Sequence, residues 1–433
     1  MTNVLKTYIR DVWSLDWRPK VVIGAQIFNS TANGMIAFVI IFYVLSLGGT
    51  VVDFAVFNGL LMVSALVFGI TSAIISDRFR RDYMIWTGSA IMLFSLFILM
   101  GRALPNLMLG MVILGVGNGL LNPAMGGWMA DITTNSNRDS IFSFQFMIQT
   151  GFTSIGAILA ATLFLFMGDT ADTIYLVMLT ALFLFVPSIL ALFVIRDVRY
   201  MKKTESVLSA ENIEKIPEEI PISATIPSPA KTYEYSSRTP YILLISQIVI
   251  AFGAGLSIPF IPLFLSERYL LNLSSIGYLE GAIAITTGIG AVSSSLVSKK
   301  FGRIKVIVTV QMIATFVLLS LVFHLPLIVV IPFLLIRSAF MNMASPLINT
   351  VVMSSISEKV RSTWSMAMQL SWQIMNVVGQ VIGAMIILGL SFENSFIITA
   401  VLYFVSVLSL LLIRERLIPQ KTETRSESIE ETS

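Results

Sequence analysis

Apolar runs of about 20 residues recur along the whole chain, each long enough to cross a hydrocarbon layer of about 30 Å as a helix rising 1.5 Å per residue. Twelve fall at 20–46, 53–76, 83–103, 106–130, 141–167, 172–195, 240–266, 274–298, 304–324, 327–352, 362–389 and 393–413. A backbone inside hydrocarbon must bond to itself, so runs of this length form helices. The predicted class is all-α: a polytopic membrane protein with twelve transmembrane helices. Composition agrees, with 56% of the 433 residues hydrophobic and 12% charged, where soluble domains carry about 25% charged residues. A soluble enzyme of this size would leave its apolar surface uncovered. Disorder is excluded by the same figures, and a disulfide scaffold by the absence of Cys. No cleavable signal peptide is read, because the first run is too long and acids precede it. Residues 8–18, with Trp13, Trp17 and Arg18, suit the headgroup layer as well as a short tail.

Lys and Arg set the orientation, since short loops rich in them stay on the cytoplasmic side. With both termini inside, the inner segments hold 25 of the 28 basic residues. The outer loops hold Arg102 and Arg268, and Arg337 lies within a span. The calculated pI near 9.0 is therefore a topology signal, and no nucleic-acid partner is expected. Trp86, Trp128 and Trp364 fall near the inner interface, where aromatic belts form. The expected location is the plasma membrane, with both termini cytoplasmic.

Residues 196–239 are polar, mix Glu with Lys, and carry Pro217, Pro221, Pro227 and Pro229. They read as a cytoplasmic linker, with room for a short helix near Val207–Ile216. The linker divides the chain into an N-terminal six-helix bundle at 1–195 and a C-terminal one, with its tail, at 240–433. The halves repeat each other. Pro123, Arg138 and Gly156 recur with the same intervals as Pro346, Arg361 and Gly379, and the segment 76–81 corresponds to 298–303. One offset of 222–223 residues links them all. Internal repeats of this kind mark secondary transporters with a site between the halves.

Polar residues within the spans follow the same division. Spans 1, 2, 4 and 5 hold Gln26, Asn29, Asn33, Asn58, Asn118, Asn122, Gln145 and Gln149. Spans 7, 8, 10 and 11 hold Gln247, Glu280, Arg337, Asn342, Asn349, Gln369, Gln373, Asn376 and Gln380. Away from their ends, spans 3, 6, 9 and 12 hold one amide or charged residue, Gln311. Such groups are costly in hydrocarbon unless they face protein or water. Gln369, Gln373, Asn376 and Gln380 share one face of span 11, as do Gln26, Asn29 and Asn33 on span 1. Amides can also bond helix to helix, at about 0.6–2 kcal/mol each, so a wet passage and interhelical bonding both fit the stripes.

These features together resemble the major facilitator superfamily over nearly the whole chain. Ser76-Asp77-Arg78-Phe79-Arg80-Arg81 is similar to the family's loop motif between helices 2 and 3. Asp77, Arg78 and Arg81 match it, while Arg80 and Ala73 stand where Gly is expected. The resemblance implies two pseudo-symmetric six-helix bundles and an inner latch at Asp77, Arg78 and Arg81. Gly115, Gly117, Pro123 and Asp131 resemble the helix 4 motif, but Met111 replaces an Arg associated with proton coupling. Gly151 and Gly156 weakly resemble the antiporter motif of helix 5, with Ala157 in place of its Pro. Pro259 and Pro262 fit the family's broken cavity helix.

Glu280 sits about 9 Å below the outer end of span 8, and Arg337 about 15 Å into span 10. Glu280 suits reversible protonation as a coupling site. Alternatively it pairs with Arg337, or Arg337 holds an anionic group of the substrate. With no Cys and His324 the only His, no metal constellation exists, and no phosphate loop or nucleophile triad is present. Neither enzyme activity nor a cofactor is expected. The sequence reads as a monomeric transporter working by alternating access, with the bilayer and a small molecule as partners and protons as candidate coupling ions. Asn29, Asn33, Asn118, Asn122, Gln145, Gln149, Arg337, Gln369, Trp372, Gln373 and Asn376 are the expected substrate contacts. Many amides and few charges suggest efflux of an amphipathic drug-like compound or metabolite. Uptake of a sugar-like or acidic metabolite is one alternative, and a non-transporting receptor or scaffold of the same fold is another. The orientation is testable because the chain lacks Cys. A membrane-impermeant maleimide applied to intact cells is expected to label His324→Cys and spare Lys300→Cys.

Overall fold

The computed structural model describes residues 17–78, 80–132, 138–196, 233–356, 360–413 and 415–417. The linker helix expected near 207–216 lies outside them, as do the side chains of Asp77, Arg78, Asp131, Arg138 and Arg361. Twelve helical spans are present, long and apolar enough to cross a membrane. Spans 1 to 6 are Trp17–Ser46, Val51–Arg78, Arg81–Leu99, Leu104–Ile132, Arg138–Met167 and Ala171–Leu192. Span 7 runs as Thr239–Ser257, a 3-10 turn at Ile258–Phe260, and Ile261–Tyr269. Spans 8 to 12 are Leu273–Phe301, Arg303–Ser320, Leu327–Ser355, Arg361–Gly389 and Phe392–Leu410. The break in span 7 falls at Pro259, which has no N–H to continue the helical ladder. Span 1 begins three residues earlier than the apolar pattern indicated, so Trp17 and Arg18 belong to its first turn.

Polar caps start several spans at the end remote from the termini. Thr170 accepts the Thr173 N–H at 3.2 Å, and Asn272 accepts that of Ser275 at 3.0 Å. Thr50 and Asp53 cap each other, the Thr50 N–H donating to Asp53 at 2.7 Å and the Asp53 N–H to Thr50 at 3.2 Å. Each bond satisfies a donor that the first helical turn leaves open.

The spans form two six-helix bundles with the same internal pairing. Span 1 packs on spans 5 and 6, and span 4 on spans 2 and 3. In the second bundle span 7 packs on 11 and 12, and span 10 on 8 and 9. The repeated Gly156 and Gly379 have one physical reason. A Cβ on Gly156 would collide with the Thr31 carbonyl oxygen of span 1, and one on Gly379 would collide with that of Phe252 on span 7. Both helix pairs are in backbone contact, the close approach that small residues permit inside membranes. Between the bundles, span 5 packs on span 8 and span 2 on span 11. Exposed apolar rows such as Ile285, Ile289, Val292 and Leu296 on span 8 offer the surface that lipid covers.

Two three-residue strands, β1 (Tyr233–Tyr235) and β2 (Glu415–Leu417), pair antiparallel, Tyr233 opposite Leu417. This differs from the sequence reading, which left the end of the linker and the start of the tail without structure. Gly379→Val is expected to cost about 1–3 kcal/mol of stability through overpacking. Gly126→Ala, where a Cβ meets nothing within 4 Å, is expected to stay within about 0.5 kcal/mol. Thermal unfolding in detergent distinguishes the two.

Candidate functional site

The amide stripe of span 11 behaves differently along its length. Gly379 faces span 7, and Val377 faces Gly59 of span 2. At about 100° per residue, Trp372, Gln369, Gln373, Asn376 and Gln380 occupy the arc between those two faces. The stripe therefore looks into the space where the bundles meet. Toward the end remote from the termini it is bonded. Asn58 of span 2 donates to Gln380 Oε1 at 2.6 Å, and Gln380 Nε2 donates to Asn376 Oδ1 at 2.7 Å. Asn376 Nδ2 reaches the Ala251 carbonyl of span 7 at 3.4 Å. Gln380 is buried, and near it Phe54 of span 2 meets Phe260 of span 7 edge to face at 5.9 Å.

Toward the termini the stripe is open. Gln369 and Gln373 make no side-chain hydrogen bond to the described residues, and Trp372 is 39% exposed. The sequence offered bonding between helices and contact with a wet passage as alternatives for this stripe, and the geometry divides it. Asn376, expected as a substrate contact, already spends both ends of its amide on protein.

The remaining polar residues divide in a similar way. On span 1, Asn33 Nδ2 donates to Asn29 Oδ1 at 2.7 Å and to the Asn29 carbonyl at 2.9 Å, a ladder along one helix face. That face lies roughly 100–160° around the helix from Gly34 and Thr31, which meet span 5. Asn118 is half-buried and Asn122 exposed on span 4, and Gln145 is half-buried and Gln149 exposed on span 5. None of the four bonds its side chain to a described residue. Of the expected latch residues, Arg81 packs its guanidinium against Gly127 of span 4, where a Cβ would stand 2.7 Å from Cζ.

Glu280 is half-buried on span 8. It sits about 160° around the helix from the exposed row Ile285, Ile289, Val292 and Leu296, and so points inward. Among the described residues it has no hydrogen bond and no ion pair within 4 Å. Arg337 is 8% exposed and close enough to act electrostatically on Glu280 and on Tyr403 of span 12. Its Nε lacks a hydrogen-bond partner among the described residues. The direct Glu280–Arg337 pair considered from the sequence is not formed in this arrangement. Arg337 lies roughly 120–140° around span 10 from Asn342 and Asn349, turned toward its own bundle, and is not brought together with the amides.

Sequence reasoning missed the contacts between bundles toward the end remote from the termini. Ser154 of span 5 donates to the Gly281 carbonyl at 2.6 Å, Thr162 and Tyr278 share a hydrogen bond of 3.2 Å, and the Leu273 N–H donates to Asp169 at 2.8 Å. Gly277 and Gly281, four residues apart, were the one available signal. A Cβ on Gly277 would meet Ala161 at 2.8 Å. Among the described residues no group of three or more His, Cys, Asp or Glu is placed to hold a metal ion.

Comparison with known proteins follows from this geometry. The sequence pattern of the Major Facilitator Superfamily matches residues 22–379 and again 243–432. No curated protein matches the chain. Among solved structures, a bacterial homologue of the iron transporter ferroportin in an inward-facing state superposes with a TM-score of 0.68 at 14% identity, covering 90% of this chain and 97% of that one. In its outward-facing state with soaked iron the TM-score is 0.57 at 15% identity, covering 90% and 98%. The nucleoside transporter NupG, solved as a point mutant, gives 0.68 at 10% identity, covering 92% and 99%. Each of these likenesses is one of fold.

The divided stripe makes a prediction. Gln380→Ala strands the half-buried Asn58 and Asn376 amides and is expected to cost about 1–3 kcal/mol. Gln369→Ala, on the open part, is expected to change stability by less than about 0.5 kcal/mol. Thermal unfolding of the two variants side by side checks both.

Proposed function

The chain belongs to the Major Facilitator Superfamily, a family of transporters, and on that footing we propose that it moves a small organic solute across the plasma membrane by alternating access. The observation that carries this reading is the uneven bonding of the span 11 stripe. Amides bonded across the bundles at the outer end, and unbonded toward the termini, are what a passage closed outside and open inside requires. The better superposition on the inward-facing than on the outward-facing ferroportin homologue supports the same state.

The proposed substrate contacts are Asn29, Asn33, Asn118, Asn122, Gln145, Gln149, Gln369, Gln373 and Trp372. Asn376 and Gln380 serve the outer closure instead. Amides, one indole and few charges suit an amphipathic, largely neutral solute, and efflux is the proposed direction. Arg337 is the position that favours an acidic metabolite, and burial away from the amides weighs against it. The solved neighbours are named for iron, nucleoside and peptide transport, and no one cargo carries over from them. Glu280 is the proposed proton-coupling group, being an inward-facing carboxylate without a bonded partner among the described residues. Asp77, Arg78 and Arg81 are proposed to latch the bundles when the inner end closes. Residues 196–239 are proposed to tether the bundles on the cytoplasmic side, and the protein to work as a monomer.

Purified protein in liposomes, assayed with the amphipathic dye ethidium under an imposed pH gradient, tests this reading. Saturable, gradient-dependent flux is expected. Gln373→Ala is expected to weaken it about tenfold, and Glu280→Gln to abolish the gradient dependence while dye exchange at equal pH persists. Saturable binding without flux would favour the receptor or scaffold reading.

A further inference from the structure

Span 8 begins under two caps from different bundles. Its own Asn272 accepts the Ser275 N–H at 3.0 Å. The Leu273 N–H, also left open by the first helical turn, donates to the Asp169 carboxylate at 2.8 Å, from the loop between spans 5 and 6 of the other bundle. That loop is held stiffly. The Gly168 N–H closes onto the Phe164 carbonyl at 2.8 Å, Gly168 takes a φ of 79°, and Thr170 starts span 6 as its cap. Asp169 is therefore presented at a fixed height opposite span 8, where its negative charge meets the positive end of a 29-residue helix. Two turns deeper, Ser154 donates to the Gly281 carbonyl at 2.6 Å, with Thr162–Tyr278 and Gly277–Ala161 contacts between. The clamped stretch, 273–281, carries Glu280.

We infer that Asp169 is an outer gate residue: its carboxylate clamps the Glu280-bearing end of span 8 to the first bundle, and the clamp must release for the passage to open outward. The inference rests on the alternating-access reading proposed above. Asp172, three residues along, is the natural contrast. It pairs with Arg102 of its own bundle at 3.0 Å, so its loss should leave the relation between the bundles unchanged. A charge-assisted hydrogen bond at a helix N-terminus is strong enough to set a conformational equilibrium.

The test places spin labels at Phe166→Cys and Phe323→Cys, both exposed at the outer ends of opposite bundles, in a chain with no Cys of its own. Pulsed dipolar spectroscopy then reads their separation without any substrate. Failure of the clamp is thus distinguishable from failure of the proposed transport, which the liposome assay reports separately. Asp169→Ala is expected to raise the ratio of the longer to the shorter separation about 5- to 10-fold, with Asp169→Asn between it and the parent. Asp172→Ala is expected to leave the ratio unchanged, and all three variants to unfold within a few degrees of the parent. An unchanged distribution in a folded Asp169→Ala protein would overturn the inference. So would an equal shift in Asp172→Ala, which would mark a general charge effect.

Discussion

Inside a bilayer two helices gain nothing from hiding apolar surface against each other, because lipid is as apolar as they are. What holds them is contact close enough for dispersion and backbone interaction, and that depends on residues without side chains. The rest of this structure depends on that constraint. Gly34 and Gly156 seat spans 1 and 5 against each other's carbonyls, and Gly255, Gly379 and Gly383 do so for spans 7 and 11. Gly115 and Gly119 bring span 4 onto the carbonyls of span 2, and Gly290 brings span 8 onto Ala339 of span 10. Each bundle is thereby a close-packed unit that resists deformation.

Contacts between the bundles are of another kind. They combine hydrogen bonds from Ser154, Thr162, Asn58 and the Leu273 N–H, the aromatic pair Phe54 and Phe260, and side-chain packing over Gly277, Gly281 and Gly59. The neutral hydrogen bonds among them have small net strength and re-form readily with water or with a shifted partner. Stiffness within and exchangeability between are what rigid-body rocking needs.

The fold was legible because its strongest signal is a physical necessity. Backbone groups in hydrocarbon force helices of a fixed minimum length. The repeat was legible through Gly156 and Gly379, since only glycine fits where both stand. The site was legible as a set of faces and not as a set of bonds. Periodicity puts Gln369, Gln373, Asn376 and Gln380 on one side of span 11, but the depth at which the bundles part decides which amides bond, and spacing carries no record of depth. Asp169 and Leu273 left no mark, because their meeting joins a loop to the start of a helix 104 residues away. The strand pairing of the linker's end with the tail was equally silent: three residues give no alternation to read.

That small ribbon has a topological consequence. Tyr233–Tyr235 precedes the second bundle and Glu415–Leu417 follows it, and they are hydrogen-bonded side by side. The bundle thus begins and finishes at one spot, the arrangement of a cassette that can be spliced into another polypeptide or circularly permuted without rearranging its interior.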